Sequence, residues 1–210
     1  MKLHANPTSP SPKRVRMFLA EKGLEVAEVL VDTMTGAQLE PEFLAINPWA
    51  TIPVLELDDG TYISEAIACC RYIEEAHPDP ALMGSDAKEK AVIAMWEHRM
   101  EWDGFLAVAE KLRNTIERMK GRGLTGVVSF EQIPELAARG EKRVGVFHDL
   151  LEKRCAESEF IAGETFSVAD ITAFVSLQFG AVAGLEPPEG HTNLARWRDQ
   201  IKARPSADGV

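Results

Sequence analysis

Apolar and polar positions follow two different periods in the first third of the chain. Short apolar runs predict strands, and between them lie segments whose apolar residues recur three and four positions apart, such as Val15, Phe18 and Leu19. Gly23 marks the end of the first of these helices. The resulting order is βαβαββα, with strands predicted at Lys2–Ala5, Val26–Val31, Val54–Leu57 and Thr61–Ile63, and helices at Pro10–Lys22, Glu42–Ile46 and from Ser64 onward.

The order of these elements predicts a four-stranded mixed sheet. A strand, a helix and a second strand in succession favour a parallel pair with a right-handed crossover. The last two strands are separated only by Asp58-Asp59-Gly60, a tight turn that is typical of an antiparallel hairpin. The sequence therefore predicts an α/β domain over residues 1–76.

The pattern changes after residue 76. Residues 77–85 are rich in proline and glycine and are predicted to be a linker, and residues 86–210 show only helical periodicity and are predicted to form an all-α domain. Four helices are predicted in it. The first is Asp86–Lys120, and the second opens with a Ser129-x-x-Gln132 capping box and ends near Ala156. The third starts at N-cap Ser167, with Asp170 as the partner in its capping box and Phe166 and Ile171 as its hydrophobic staple, and the fourth is Asn193–Ala203.

Composition and charge argue against several classes of function. With 45% hydrophobic and 27% charged residues, the chain has the composition of a soluble globular protein. Its net charge of -10 argues against a nucleic-acid surface, which needs a basic patch. No apolar run approaches the ~20 residues that span a bilayer, and MKLHANPTSP lacks the apolar core of a secretory signal. We therefore expect neither nucleic acid nor a membrane as a partner.

The cysteine pattern bears on compartment and redox chemistry. Cys69, Cys70 and Cys155 include no C-x-x-C pair, so neither a dithiol redox centre nor a paired zinc site is indicated, and no metal is expected. Free thiols are typical of the reducing cytoplasm, which is the compartment that we expect.

Residues 47–72 combine a predicted strand edge with a predicted helix start. Pro53 opens one strand, and after the hairpin a helix begins at Ser64 with Glu65 in its first turn. A helix N-terminus attracts negative charge, and a sheet edge can pair with an added strand. An extended peptide with a negatively charged end could dock there.

With these motifs the chain resembles the cytosolic glutathione transferases, most closely their theta-like bacterial and fungal members. The resemblance covers nearly the whole chain and is strongest in SPKRVRMFLAEKG, EFLAINPWATIPVLELDDG, SEAIACCRYIEE and FSVADIT. It implies a thioredoxin-like N-terminal domain that binds glutathione as co-substrate. It also implies a helical C-terminal domain that supplies most of the pocket for a small hydrophobic electrophile, and a homodimer.

The resemblance assigns glutathione contacts to the segment around the hairpin. Pro53 matches the family's cis-proline, an isomer that costs an X-Pro bond only about 0.5–1 kcal/mol. A cis bond would turn the Ile52 backbone outward to pair with the cysteinyl backbone of glutathione. Glu65 and Ala66 match the pair that binds the γ-glutamyl group, although the family has serine where this chain has Ala66. The alternative for Pro53 is an ordinary trans proline at a strand start. The alternative for Glu65 is that it only complements the helix dipole, and Ser64 is expected to be the helix N-cap.

Two further positions are matched more weakly. Gln38 aligns with the theta-like position that reaches the glycyl carboxylate, and Thr51 aligns with a position that is often lysine or glutamine in relatives. Either side chain could instead be an ordinary solvated loop residue.

In theta-like enzymes a serine just before the first helix stabilises the glutathione thiolate. A gapless alignment of that helix places a proline at this position, with Ser9 and Ser11 on either side of it. We rank Ser11 and Ser9 equally as donors, followed by Asn6 and a bound water; the alternative role for each serine is to cap the helix. Lys13 and Arg14 in the first turn add positive potential.

The candidates for the electrophile pocket are fewer. His98, Trp102 and Phe105 are spaced so that they are predicted to share one helix face, and Arg113 could add a polar contact. Such a stripe is commonly part of a helical core. Trp49, beside the glutathione loop, could shape the pocket or a dimer contact.

The sequence thus predicts a glutathione S-transferase that adds a bound thiolate to an electrophile. The alternative is a non-catalytic glutathione-binding or interaction protein with the same fold, which Ala66 and the displaced serines motivate. A disulfide oxidoreductase is disfavoured because C-x-x-C is absent.

Overall fold

The computed structural model describes residues 1–208. The chain divides into two compact units, one comprising Met1–Pro80 with Leu124–Ser129, and the other comprising Ala81–Gly123 and the chain from Phe130 onward. Within residues 1–208, no helix combines the length and apolar character needed to cross a membrane.

A four-stranded mixed sheet forms the centre of the first unit, in the order β2-β1-β3-β4. Strand β1 is parallel to β2, and β3 runs antiparallel to both β1 and β4. This topology confirms the predicted βαβαββα order. The strands are β1 Lys2–Ala5, β2 Ala27–Leu30, β3 Val54–Glu56 and β4 Tyr62–Ser64.

The helices of the first unit are α1 Pro10–Glu21, α2 Pro41–Leu44 and α3 Ala66–Ala76. Helix α1 has proline as its first and third residues, which fits a first turn because its N–H groups have no intrahelical acceptor. It buries Val15 and Phe18 and packs against α3. The two helices are also joined near their ends, since the buried Lys22 Nζ lies 2.5 Å from a Glu74 carboxylate oxygen.

The start of α3 differs from the prediction. Ser64 is the last residue of β4, and Glu65 rather than Ser64 is the N-cap, with no side chain capping the helix. The prediction of Ser64 as N-cap was wrong because the hairpin strand continues one residue further than its apolar pattern suggested.

The described part of the second unit contains helices, irregular segments and two isolated β-bridges but no strand, which confirms the all-α prediction. A six-residue π-helical segment, Met100–Phe105, separates α4 from α5. The helices are α4 Ala87–Arg99, α5 Leu106–Arg113, α6 Pro134–Glu157, α7 Val168–Val182 and α8 Thr192–Lys202.

Two helix boundaries were predicted wrongly. Helix α5 ends at Arg113 instead of near Lys120, and α6 begins at Pro134 instead of at a Ser129 capping box. The Gln132 side chain explains both, because its Nε2 donates to the carbonyl oxygens of Arg113 and Ile116, each at 2.8 Å. It therefore satisfies carbonyls at the end of α5 instead of capping α6.

The capping box at the start of α7 is confirmed. Asp170 accepts from the Ser167 backbone N–H at 3.0 Å, and both bonds of the box are present. The same buried carboxylate accepts from Ile161 N–H at 2.8 Å and from Trp197 Nε1 at 3.0 Å. Asp170 thus links the start of α7 to α8.

Candidate functional site

Three chain segments meet at one edge of the sheet in the first unit. The register pairs His4 with Val54 and Val54 with Ser64, so the end of β1, the start of β3 and the end of β4 are side by side. Neighbouring strands are ~4.8 Å apart, so the three strands span ~10 Å. An extended tripeptide spans a similar ~10 Å.

At the centre of this edge is Ile52. The Ile52–Pro53 peptide bond is cis, as predicted from the sequence. Within residues 1–208, neither the N–H nor the C=O of Ile52 makes a hydrogen bond. The Ile52 backbone therefore retains one donor and one acceptor for an added strand.

The loop that leads to Ile52 is held by the buried Asn47. Its Nδ2 donates to the Thr51 carbonyl oxygen at 2.8 Å and to the Thr51 hydroxyl at 3.0 Å. Ala50 has φ of 54°, a left-handed conformation that costs a non-glycine residue ~1–2 kcal/mol. Because the Thr51 hydroxyl oxygen accepts from Asn47, the proton of the Thr51 hydroxyl remains available for a ligand.

Glu65 follows β4 at the same edge. It has φ of 70°, a rare conformation for a residue with a side chain that is typical of functional sites. Its exposed carboxylate makes no hydrogen bond or ion pair within residues 1–208, and it does not cap α3. The first N–H groups of α3 are therefore open to a ligand, beside an unpaired carboxylate and the buried Ala66.

Gln38 lies in a short 3-10 turn, Ala37–Leu39, of the first unit. Its side chain is buried, and no donor among residues 1–208 reaches its Oε1. An unsatisfied buried acceptor costs about 1–3 kcal/mol, which favours a ligand contact over the solvated-loop alternative.

The three candidate donors to the thiolate lie between the end of β1 and the start of α1, and they differ in their hydrogen bonds. Asn6 closes a turn, since its Oδ1 accepts from the Thr8 N–H at 3.0 Å and from the Thr8 hydroxyl at 2.8 Å. Ser9 is the N-cap of α1 by position, but its hydroxyl makes no capping bond. Ser11 Oγ accepts from Nη2 of the buried Arg14 at 2.9 Å. Among these three side chains, within residues 1–208, only that of Ser11 accepts a hydrogen bond from a cationic donor.

The segment 124–129 is a further part of the first unit that no sequence pattern predicted. Gly126 has φ of 118°, and a Cβ added there would lie 3.6 Å from the Trp49 carbonyl oxygen. Trp49, Leu124, Val127 and Val128 are all exposed. These apolar residues therefore lie in the same unit as the loop that leads to Ile52.

The proposed pocket residues of the second unit do not share one face. His98 and Trp102 stack at 6.3 Å between ring centroids and are both exposed, whereas Phe105 is buried against Phe179 at 5.4 Å. The one-face prediction was wrong because the π-helical segment from Met100 to Phe105 has a wider turn than an α-helix. Arg113 is half-buried and donates to the Arg122 carbonyl oxygen at 3.0 Å.

In the first unit, the side chains of Cys69 and Glu56 have clearly shifted pKa values. The pKa of the Cys69 thiol is raised to about 12 because the residue is buried. At β3, the side chains of His4 and Lys2 hydrogen-bond Glu56 and hold the pKa of its carboxyl below its ordinary value. Within residues 1–208, no three His, Cys, Asp or Glu side chains are placed to hold a metal ion together.

Both units match known protein families. Residues 8–76 match the model of the glutathione S-transferase N-terminal domain, and residues 95–205 match that of the glutathione S-transferase C-terminal domain. Glutathione S-transferase 2 of Saccharomyces cerevisiae is 35% identical over 208 residues, which cover 98% of this chain and 87% of the relative.

Solved structures agree with this assignment. A glutathione S-transferase domain-containing protein of Marinobacter aquaeolei is 38% identical with a TM-score of 0.90, over 98% of this chain and 99% of the other. Gtt2 from Saccharomyces cerevisiae is 33% identical with a TM-score of 0.92, over the full length of both chains. The likeness confirms the predicted fold class, a thioredoxin-like α/β domain followed by an all-α domain. With two family models matched and a full-length relative above 30% identity, the chain belongs to the glutathione S-transferase family.

Proposed function

We propose that this protein is a glutathione S-transferase that joins the glutathione sulfur to an electrophilic carbon of a small hydrophobic molecule. The observation that carries this proposal is that three groups lie on the segments that follow β1, precede β3 and follow β4, whose ends adjoin at one sheet edge. These are the Arg14-bonded hydroxyl of Ser11, the unpaired backbone of Ile52 and the unpaired carboxylate of Glu65 beside the uncapped α3. Each group matches a different part of glutathione.

Glutathione would lie extended across this edge. Its cysteinyl backbone would pair with the N–H and C=O of Ile52, as an added strand does. Its γ-glutamyl ammonium would contact Glu65, and the adjacent carboxylate would accept from the free N–H groups at the start of α3. The glycyl end would contact Thr51 and Gln38, whose buried Oε1 has no donor within residues 1–208.

The chemistry of a transferase depends on the thiolate. A free thiol has a pKa of about 8.5, and lowering it by ~2 units requires roughly 2.7 kcal/mol of preferential stabilisation of the anion. The Ser11 hydroxyl is suited to this because the Arg14 guanidinium occupies its oxygen, which leaves its proton for the sulfur. The guanidinium charge also polarises the hydroxyl, and the N-terminus of α1 adds to the positive potential. We therefore assign the donor role to Ser11 ahead of Ser9 and Asn6.

The bound thiolate attacks the electrophile directly. With an aryl halide, a carbon–sulfur bond forms, the carbon–halogen bond breaks and the halide leaves with the bonding electrons. The thiol proton has already been lost to solvent. The protein contributes position and a lowered thiol pKa, both of which its own side chains can supply.

Ultraviolet titration of the glutathione thiolate on the protein, run beside a turnover assay with an aryl halide, tests the proposal. We expect thiolate absorbance at neutral pH and glutathione-dependent turnover. Glutathione binding with neither signal would instead establish the non-catalytic alternative.

A homodimer is the second part of this proposal. Met95, Trp102 and Leu106 are exposed along α4, the π-helical segment and α5, and Val146 and Leu150 are exposed four residues apart on α6. The Arg143 guanidinium on α6 lies 5.7 Å from the Trp102 ring centroid, so the two apolar stripes adjoin. An apolar surface of this kind is typical of an interface between copies.

Light scattering after gel filtration tests the dimer. We expect about twice the 23.2 kDa chain mass for the wild type, and a monomer for Val146→Glu. Val182→Glu is the matched control, because Val182 is an exposed valine elsewhere in the same unit. If both variants keep the dimer mass, the interface lies on another surface.

We also place the protein in the cytoplasm. Cys69, Cys70 and Cys155 are buried free thiols with no disulfide. Free thiols persist in a reducing compartment. Fractionation with an antibody to the native protein would test this placement.

A further inference from the structure

Arg16, in the second turn of α1, connects three parts of the first unit. Side chains on an α-helix lean toward its N-terminus, so a long side chain at this position reaches back over the loop before the helix. Nε and Nη2 of Arg16 donate to the two carboxylate oxygens of Glu28, on β2, at 2.5 and 2.7 Å. Nη1, at the other edge of the guanidinium, donates to the carbonyl oxygens of Asn6 and Pro7 at 3.4 and 3.3 Å. Arg16 therefore joins α1 and β2 to the loop of residues 6–9, which lies between β1 and α1.

This loop is short and stiff. Pro7 fixes the φ angle of one of its four residues. The Asn6 side chain closes a turn within the loop, and the Asn6 carbonyl oxygen also accepts from the Ser9 N–H at 3.2 Å. A displacement at Asn6 or Pro7 is therefore passed on to Ser9 and to the start of α1, where Ser11 lies.

The Arg16 guanidinium contributes geometry more than charge. Its bidentate partner Glu28 neutralises it, whereas Arg14 donates directly to the Ser11 hydroxyl oxygen and polarises it. The side chains of Arg16 and Glu28 are 16% and 40% exposed, and an ion pair in contact with solvent adds little to the free energy of unfolding. The stability of the fold therefore depends little on this pair, whereas the position of the loop depends on it directly.

We propose that Arg16 is a positioning residue which, held by Glu28, fixes the loop so that the Ser11 hydroxyl meets the glutathione sulfur, a role that rests on the proposed function. Pairing with the Ile52 backbone sets where the sulfur lies, so the donor has to be brought to it. A misplacement of about 1 Å in such a geometry can lower a rate about 100-fold. Arg16 would act through Ser11, without touching glutathione.

Hydrogen exchange of the Thr8 and Ser9 amides, measured by NMR in the absence of glutathione, tests whether Arg16 holds the loop. We expect exchange to be roughly threefold faster or more in Arg16→Met, because the loop opens more often. Lys2→Met is the matched control, since it removes the 2.9 Å Lys2–Glu56 ion pair of the same sheet, which bonds no residue of the loop within residues 1–208. Unchanged exchange in Arg16→Met, or an equal increase in Lys2→Met, would overturn the inference.

Turnover of an aryl halide tests the effect on the reaction. We expect Arg16→Met to lower kcat about tenfold and to leave the KM for glutathione within about twofold, because the contacts at Ile52 and Glu65 do not involve the loop. A thiolate titration should show a raised pKa of bound glutathione in this variant. Lys2→Met should keep the wild-type values, and urea unfolding should show a similarly small loss of stability in both variants.

Glu28→Gln tests how Arg16 itself is held. It should cause a smaller loss of kcat, and the double variant should be no less active than Arg16→Met alone, because both changes break one chain of contacts. Additive losses would overturn the inference. So would a kcat of Arg16→Met within about twofold of the wild type, or a loss of kcat matched by an equal loss of glutathione affinity.

Arg16→Lys separates charge from geometry, since lysine keeps the charge but lacks the fork that reaches Glu28 and the carbonyls together. It should restore only part of the activity that Arg16→Met loses, and full restoration would overturn the inference. If the wild type binds glutathione without turnover or thiolate absorbance, the proposed function fails, and the role of Arg16 in the reaction fails with it. The exchange measurement still decides whether Arg16 holds the loop.

Discussion

The Arg14 guanidinium donates from Nη2 to the Ser11 hydroxyl oxygen at 2.9 Å, near the start of α1. This bond distinguishes two serines that the sequence left equal. Ser9 is the N-cap by position, but its hydroxyl makes no capping bond and has no cationic neighbour bonded to it. The bond to Ser11 fixes which way that hydroxyl can donate and increases its strength as a donor.

Replacing Ser11 by alanine should therefore remove the group that stabilises the thiolate. We expect Ser11→Ala to lower kcat about 100-fold, the usual cost of losing one donor to a developing or bound anion. The KM for glutathione should change little, because the tripeptide contacts at Ile52 and Glu65 remain. A thiolate titration should show the pKa of bound glutathione shifted upward in the variant.

Ser9→Ala is the matched control for this experiment. Its hydroxyl makes no bond that α1 needs, so we expect less than about a threefold change in kcat. If Ser9→Ala instead caused the large loss and Ser11→Ala the small one, the donor assignment would be reversed. Equal activity in both variants would transfer the role to Asn6 or to a bound water.

Ala66 gives a prediction in the opposite direction, a gain of affinity. It is the first residue of α3, at the position where the family has serine, and its methyl group is buried at the helix start. Ala66→Ser would add a donor beside the γ-glutamyl carboxylate. A hydrogen bond to a charged group contributes about 1.5–3 kcal/mol, so we expect glutathione to bind at least tenfold more tightly.

Isothermal titration with glutathione measures this effect. Ala68→Ser is the control, because Ala68 is an exposed alanine two residues further along the same helix. Tighter binding in both variants would indicate a general change in the helix instead of a new contact. Weaker binding in Ala66→Ser would mean that the γ-glutamyl group lies elsewhere.

The sequence predicted those features of the fold that depend on periodicity and turn chemistry. Strand β1 was predicted with its observed bounds, the Asp59-Gly60 turn produced the hairpin, and the box at Ser167 and Asp170 formed as expected. In each case the decisive residues are close together in the chain, so local rules suffice.

The errors arose where distant residues decide the outcome. Gln132 fits a capping pattern, but it bonds carbonyls of Arg113 and Ile116 that only the folded chain brings near. Phe105 fits an α-helical stripe, but the π-helical segment turns it toward Phe179. The Ser11–Arg14 bond follows a helical spacing, yet the spacing alone does not show which serine Arg14 reaches.

The pKa of the Asp170 carboxyl in the folded protein is raised from 3.8 to about 6, because burial outweighs the hydrogen bonds that it accepts. A carboxyl with a raised folded pKa holds its proton longer in the folded state than in the unfolded state. Its contribution to the free energy of unfolding therefore falls as pH rises from about 4 to about 6. The full difference is on the order of 3 kcal/mol.

Asp170→Asn removes this titration and also leaves one of the N–H donors without an acceptor. We expect the variant to be less stable than the wild type at every pH, because Ile161, Ser167 and Trp197 all donate to this carboxylate. The gap between the two proteins should be widest near pH 4 and should narrow toward pH 7. Urea unfolding at several pH values measures it, and a gap that widens with pH would contradict the raised pKa.

The titration of His148 is expected to change the free energy of unfolding with pH in the opposite direction. Burial, followed by the charge of His191, lowers the pKa of its imidazole from 6.5 to about 4, with Asp149 acting weakly in the other direction. The unfolded chain therefore binds a proton at a pH where the folded protein does not, so stability is lost as pH falls from 6.5 toward 4. His148→Gln should lose some stability at pH 7.5 through poorer packing, but it should lose less than the wild type on acidification. Because Asp170 and His148 act in opposite directions over the same pH range, the wild type should show little net slope from the pair. The two single variants should tilt the urea-unfolding profile in opposite directions, and a tilt of the same sign in both would refute one of the two assignments.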